Sequence, residues 1–449
     1  MTFCILITSW SPISKSKYYQ IYNSTQISYN RNHERRALRY QMDTYELRLK
    51  KLVKSDLVAV GLTFPLLYPQ LRLLGASHTL VGVFGATYSG LQVLTGPIVG
   101  CWSDLRGRKF VASIILIVSA ICYFFTGVTK SLLIIYLLRI ILGFTKHTQT
   151  LCKALISDNI PKEKQTKVYG WSTAVSSLGF VVGPIIGGHL SELNNGFSYV
   201  CTLTSLIFIC NYGLIHSFPE NVTNFTKTKE KIRLNNIKYE LTRAVMELTK
   251  MDWKQYWDVF SLRFLFSLAV SIYFSNQTLY IQEEYNLSQK YIGYIISFFS
   301  IVGCLSAMIT GYLTSTFYKH DSTKIHVLFH LFIIMTISFF GIYISSSLIL
   351  FLILLTPFAF STAALRIVSM EVILNKSHSN DRGSLAGVSS SVMSIGRFIS
   401  PVVSGVIADA FGGNKVIIFA TAPSLVATLL CFTLICRHKI LKKGIDKKV

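Results

Sequence analysis

Residues 170–188 read Gly170-Trp-Ser-Thr-Ala-Val-Ser-Ser-Leu-Gly179-Phe-Val-Val-Gly183-Pro184-Ile-Ile-Gly187-Gly188. They lie in an apolar run, 168–190, long enough to cross about 30 Å of hydrocarbon as a helix. Gly179, Gly183 and Gly187 recur every fourth residue, so on a helix they share one face and let a second helix approach closely. Pro184 removes a backbone donor and kinks the span. A smooth, kinked face suits a joint along which two bundles rock, and ordinary tight helix packing accounts for it equally well.

Further apolar runs follow on both sides, at 80–101, 110–129, 131–151, 197–218, 259–282, 291–317, 325–344, 347–373, 383–408 and 416–436. Their continuity without alternation excludes a β-barrel. A twelfth span should precede residue 80, but 57–71 is short and contains Pro65 and Pro69. With Lys50, Lys51, Lys54 and Asp56 just upstream, that helix must start late or carry charge inward. The composition agrees: 51% apolar and 14% charged, where soluble domains hold about 25% charged residues. A soluble enzyme and a disordered chain are both excluded. The expected fold is all-α and polytopic, with twelve transmembrane helices in two six-helix bundles. The division is 1–52, an unstructured segment; 53–218, the first bundle; 219–258, a linker; 259–436, the second bundle; and 437–449, a basic tail.

The net charge of +23 is dealt out between apolar runs, the membrane pattern and not that of a nucleic-acid-binding face. With twelve spans and a cytoplasmic amino terminus, the inside loops and tail hold 26 Lys/Arg, and the outside loops hold only Arg72, Lys130, Lys290 and Lys415. Both ends are therefore expected in the cytoplasm. The sequons at Asn221 and Asn224 then fall inside, and Asn286 falls outside. Met1–Trp10 lacks the basic start and cleavage pattern of a secretory signal. Cys122, Cys201, Cys210, Cys304 and Cys431 sit within apolar runs and read as small core residues.

Between the second and third spans stands Gly100-Cys-Trp-Ser-Asp104-Leu-Arg106-Gly107-Arg108-Lys109. Gly107 permits a tight turn, and the three cations suit an anionic cytoplasmic leaflet. Asp104 beside Arg106, Arg108 and Lys109 offers partners that can be exchanged, although a plain positive-inside loop with an incidental Asp has the same composition.

These two stretches resemble the major facilitator superfamily: residues 100–109 its loop signature, and Gly170, Gly179, Gly183, Pro184, Gly187 and Gly188 the glycine-proline signature of its antiporters. The likeness runs from about Asp56 to Cys436; it is strong for the tetracycline-resistance-type antiporters and closer still for animal carriers of the superfamily. Leu74-Gly-Ala-Ser77, Gly100 to Asp104, Lys146-His147-Thr148 and Gly183 to Leu193 resemble animal carriers of the same superfamily. Leu105 and Lys164-Gln165 depart from the usual pattern, and the second half's matching loop, 311–321, is eroded. The resemblance implies a secondary transporter with a midplane solute site between the bundles. It also implies that Asp104 docks on the amino end of the eleventh helix, near Gly383 and Ser384, when the cytoplasmic side closes.

Charges within spans are the site candidates. Arg139, four residues before Gly143, matches the family's fourth helix, and a buried Arg persists only when paired or facing water. Asp56 is a candidate proton site, because desolvation disfavours a carboxylate's charge; capping a late-starting first helix is the alternative. Arg263, Arg366, Glu371 and Arg397 are the second-half candidates, and Arg397, four residues before Pro401, is the deeper one. Arg263 and Glu371 read as interfacial, as do His326 and His330. No nucleotide loop, metal cluster or nucleophile–base pair is visible, so catalysis, cofactors and metals are not expected. The function expected is proton-coupled antiport of a small organic solute by a monomer in the bilayer. A gradient-independent facilitator and a non-transporting receptor or scaffold remain as alternatives.

Overall fold

The computed structural model describes residues 44–160, 162–218, 253–319, 321, 323–376 and 382–446. Among these residues the chain forms twelve long helices. The first six are α1 (Thr44–Leu73), α2 (His78–Arg106), α3 (Arg108–Val128), α4 (Leu132–Asn159), α5 (Lys162–Ser191) and α6 (Gly196–His216). The second six are α7 (Trp253–Tyr285), α8 (Gln289–Phe317), α9 (Ile325–Ile344), α10 (Leu348–Lys376), α11 (Arg382–Phe411) and α12 (Lys415–Asp446). All except α2 contain a segment long and apolar enough to span a bilayer. α2 falls short because it packs along α11 and α4, where polar side chains such as Tyr88, Gln92 and Thr95 find partners.

Leu52–Val449 is one compact unit built from two bundles. In the second bundle a single apolar core runs from Tyr256 to Ile435. Its centre is aromatic, with Phe358 against Phe339 and Tyr273 at ring separations of 4.7 and 4.8 Å. In the first bundle, Leu62 and Leu66 of α1 pack with Val200 of α6, while Leu67 and Leu71 pack with Phe84 of α2 and Ile135 of α4. Successive helices alternate in direction. One end of the molecule, here the basic end, carries the α2–α3, α4–α5, α8–α9 and α10–α11 connections. The far end carries α1–α2, α5–α6, α7–α8 and α11–α12.

Several expected boundaries move. α1 begins at Thr44, so residues 44–52 are helical; 1–43 lie outside the described residues. The segment 46–52 is made of Glu, Leu, Arg and Lys, all good helix formers, and Lys50 pairs with Glu46 one turn back at 2.7 Å. Asp56 consequently sits inside α1 and caps nothing. α7 begins at Trp253, before the expected linker end, and α12 runs on through most of 437–449 to Asp446. The rest of the linker, with Asn221 and Asn224, lies outside the described residues. Asn286 is exposed in the α7–α8 connection.

Candidate functional site

α4 is broken in mid-span. Its segments Leu132–Thr145 and Thr148–Asn159 meet at Lys146 (φ −74°, ψ 70°) and His147 (φ −114°, ψ 25°). The His147 N–H turns to the Thr145 carbonyl at 2.7 Å, and the ladder resumes with Leu151 N–H on the His147 carbonyl. Backbone freed inside a membrane must be satisfied locally. Gln92 of α2 accordingly donates to the Lys146 carbonyl at 3.0 Å, and Thr95 meets His147 Nε2 at 2.8 Å.

The break aims Lys146 inward at Asp56 of α1, and the two form an ion pair in which both residues are under 10% exposed. Lys146 Nζ also donates to Thr148 Oγ1 at 3.3 Å and stands 4.1 Å from the Phe208 ring centre. Beside Asp56, Ser55 hydrogen-bonds Asn211 of α6. Lys146, singled out from the sequence only within the Lys146-His147-Thr148 stretch, is thus the buried counter-ion of the candidate proton site. The signal that could have found it is a Lys-His pair lying inside the apolar run 131–151.

Arg139 lies two turns earlier on α4 and is half-buried, its guanidinium 4.8 Å from the Tyr88 ring centre. It lines a crevice with Thr63, Tyr123, Thr126 and Cys201 that holds about one water. Arg397 is elsewhere: halfway along α11, exposed, and donating to Ser394 Oγ at 2.9 Å. The structure therefore brings Asp56 and Arg139 into one polar strip of the first bundle and leaves Arg397 in the second. Arg263, expected at an interface, is buried between α7, α10 and α11, where it donates to Ser369 Oγ at 3.2 Å and Met393 Sδ at 2.8 Å. A guanidinium that far along a spanning helix hides from lipid by packing inward. His326 and His330 are exposed, as expected.

In the α2–α3 loop, Gly107 turns the chain in a single residue at φ +95°, a conformation glycine adopts without strain. Arg108 is the hub: it pairs with Asp104, with Asp158 at the end of α4 (2.9 Å) and with Ser103. Lys109 donates to the His216 and Phe218 carbonyls, each at 3.1 Å, capping the end of α6. Gly100 faces open space, and Arg106 is the last residue of α2.

The glycine face of α5 is placed differently from the expected rocking joint. Gly179, Gly183 and Gly187 pack on α1 within the first bundle; a Cβ on Gly183 would lie 2.7 Å from Gly61 Cα. The joint with the second bundle uses the adjoining face, where Gly188 meets Gln289–Lys290 and Pro184 meets Gly293 of α8. Ser297 of α8 adds a hydrogen bond to the Val181 carbonyl at 2.6 Å. Gly170 touches nothing. The second joint pairs α2 with α11, from His78 against Gly405, past Gly82 and Gly85 against Pro401, to Gly90 against Phe398. At its outer tip, Asp409 of α11 accepts from the His78 and Thr79 N–H groups of α2, at 2.9 and 2.7 Å. Both joints occupy the far half. Towards the basic end Gly100, Gly170, Gly303, Gly311 and Gly387 all face open space. The close glycine and proline contacts between the bundles therefore lie in the far half among the described residues.

The profile of the Major Facilitator Superfamily matches residues 56–356 and again 259–447. Quinolone resistance protein NorA of Staphylococcus aureus strain MSSA476 is 26% identical over 360 residues, covering 78% of this chain and 87% of NorA. The class H tetracycline resistance protein of Pasteurella multocida is 30% identical over 148 residues, 32% of this chain and 37% of that protein. Among solved structures, a bacterial homologue of the human lysosomal transporter Spinster, inward-facing and occupied, superposes with a TM-score of 0.73. It is 13% identical, over 87% of this chain and 96% of its own. The nucleoside transporter NupG superposes with a TM-score of 0.69 at 14% identity, over 87% and 98%.

Proposed function

Because the chain belongs to the major facilitator superfamily, we propose that it carries a small organic solute across its membrane by alternating access, as a proton-coupled antiporter acting as a monomer. The observation that carries this reading is that the bundles meet through close helix contacts, α5 on α8 and α2 on α11, whose glycine and proline contacts lie in the far half. Rocking about those contacts would open a site between the bundles to one side at a time. The positive-inside asymmetry supports a cytoplasmic basic end and cytoplasmic termini. It persists once Lys146 is removed from the loop count. Relatives named for quinolone and tetracycline resistance support an organic cargo. The likeness of residues 74–77, 100–104, 146–148 and 183–193 to major facilitator superfamily domain-containing protein 9 supports kinship with that animal carrier.

Coupling is assigned to Asp56 and Lys146. Protonating Asp56 removes the charge that holds Lys146, and a buried ammonium without a counter-ion must find water or another anion. The two helices involved are coupled to the rocking joint: α1 lies on the glycine face of α5, whose next face meets α8. Solute flux in reconstituted vesicles, with and without a pH step, tests the reading. Proton-coupled antiport requires uptake driven by the step. Flux indifferent to pH identifies a facilitator, and no flux for any solute leaves a receptor or scaffold.

A further inference from the structure

Two arginines stand exposed in the middle of spanning helices of the second bundle: Arg366 of α10 and Arg397 of α11. At 1.5 Å per residue they lie about 15 and 22 Å from the basic ends of their helices. A guanidinium at such depth is not held against hydrocarbon. It needs water or a polar partner, which a solute path between the bundles would supply. Arg397 sits beside the joint between the bundles: its neighbour Phe398 packs on Gly90 of α2, where a Cβ would be 2.7 Å from the ring.

Both stand near one level of the bundle, where Arg263 of α7 ties α10 to α11 through Ser369 and Met393. Among the described residues no carboxylate lies within 4.0 Å of either, and Arg397 has only the neutral Ser394 hydroxyl. Behind them Arg263 bridges Ser369 and Met393, each about one turn from these arginines, again without a carboxylate. Glu371 lies further towards the basic end of α10 and joins no ion pair with them. The first bundle neutralises its buried cation internally, Lys146 by Asp56; the second does not.

We propose that Arg366 and Arg397 form the subsite for an acidic group of the solute, a carboxylate, sulfonate or phosphate monoester, with the exposed Phe398 ring beside it receiving an apolar body. This deepens the transport reading and rests on it. The charge-assisted forks of two arginines hold an oxyanion and reject an ammonium at the same position.

The test reads binding, so it stands apart from flux. The full chain in neutral-detergent micelles is heated with increasing benzoate, benzenesulfonate or phenyl phosphate, and with benzamide and benzylamine as neutral and cationic matches. The expected result is a saturable rise in Tm with the aromatic anions and none with the matches. Arg366→Gln and Arg397→Gln should each weaken the anions roughly ten- to hundredfold, the loss of one charged hydrogen-bonding partner. Arg397→Glu should transfer the preference to benzylamine, which also distinguishes a lost site from a damaged fold. A parallel arm adds phosphatidylglycerol, the lipid source of the same chemistry. Equal response to benzamide, unchanged affinity in both Gln variants, or stabilisation by the anionic lipid alone would each overturn the proposal. Benzoate binding without any solute flux would leave the subsite standing and sink the transport reading; flux of neutral solutes with no anion response would do the reverse.

Discussion

At the scale of single residues, the Asp56–Lys146 pair makes the sharpest demand. Burying two charges is repaid only while both are present, so removing one partner is worse than removing both. Asp56→Asn and Lys146→Met should each lower stability by about 3–5 kcal/mol, and the double variant should recover most of that loss. Thermal unfolding of the three proteins in one detergent checks this; additive losses would mean that the two side chains act independently. In vesicles, Asp56→Asn should abolish pH-driven uptake and spare solute-for-solute exchange. Pairing also explains why Asp56 alone was legible as a candidate. A lone acid in an apolar segment stands out, whereas Lys146 lies beside a helix break, and its role stays hidden until the break is seen to lie within the membrane.

At the scale of elements, the α1–α5 contact depends on backbone touching backbone. A side chain at Gly183 has no room, its first carbon falling 2.7 Å from Gly61, so Gly183→Val should cost at least the 1–3 kcal/mol typical of overpacking. Gly170→Val, which faces open space from the same signature, should leave the melting temperature within a degree or two of the parent. The spacing of four showed a close-approach face, but a helix in isolation does not say which neighbour occupies it. The α8–α9 loop offers a pH test. Asp321 accepts from the His326 N–H at the start of α9 (2.9 Å) and from Thr323 (2.9 Å). Partial burial raises its pKa, but these bonds outweigh it and hold the carboxyl below its ordinary value. The depressed value means that its contribution is present above about pH 4 and is lost as the pH falls through the folded-state pKa. Proteolysis at this loop should therefore increase on acidification below pH 4, and Asp321→Asn should flatten that dependence.

At the scale of the whole molecule, α2 and α11 run antiparallel, and each has a carboxylate in its last turn, Asp104 and Asp409. At the far end Asp409 is docked on α2. At the basic end Asp104 pairs with Arg108 of its own bundle. A carboxylate at a helix amino end contributes about 0.3–2 kcal/mol, enough to bias two states without locking either. Asp409→Asn should raise, roughly two- to thirtyfold, the labelling of a cysteine at Val402 by an impermeant reagent applied opposite the termini. Asp104→Asn should instead slow turnover and expose a cysteine at Ser384 from the side of the termini. Unchanged labelling at both sites would make the two carboxylates simple caps.

The sequence by itself determined the class of molecule, the number of spans and the division into two halves. These follow from one-dimensional quantities, the length of each apolar run and the polar breaks between runs, because a bilayer imposes a fixed thickness on every crossing. It also marked Asp56, Arg139 and Arg397, since charge in an apolar run is costly wherever it folds. Only the tertiary structure decided what those charges meet. Lys146 for Asp56 and Tyr88 for Arg139 come from helices far apart in the chain. So does the allotment of the α5 glycines to α1. Such pairings depend on how helices rotate and tilt against one another, and a run's length and periodicity do not encode that rotation.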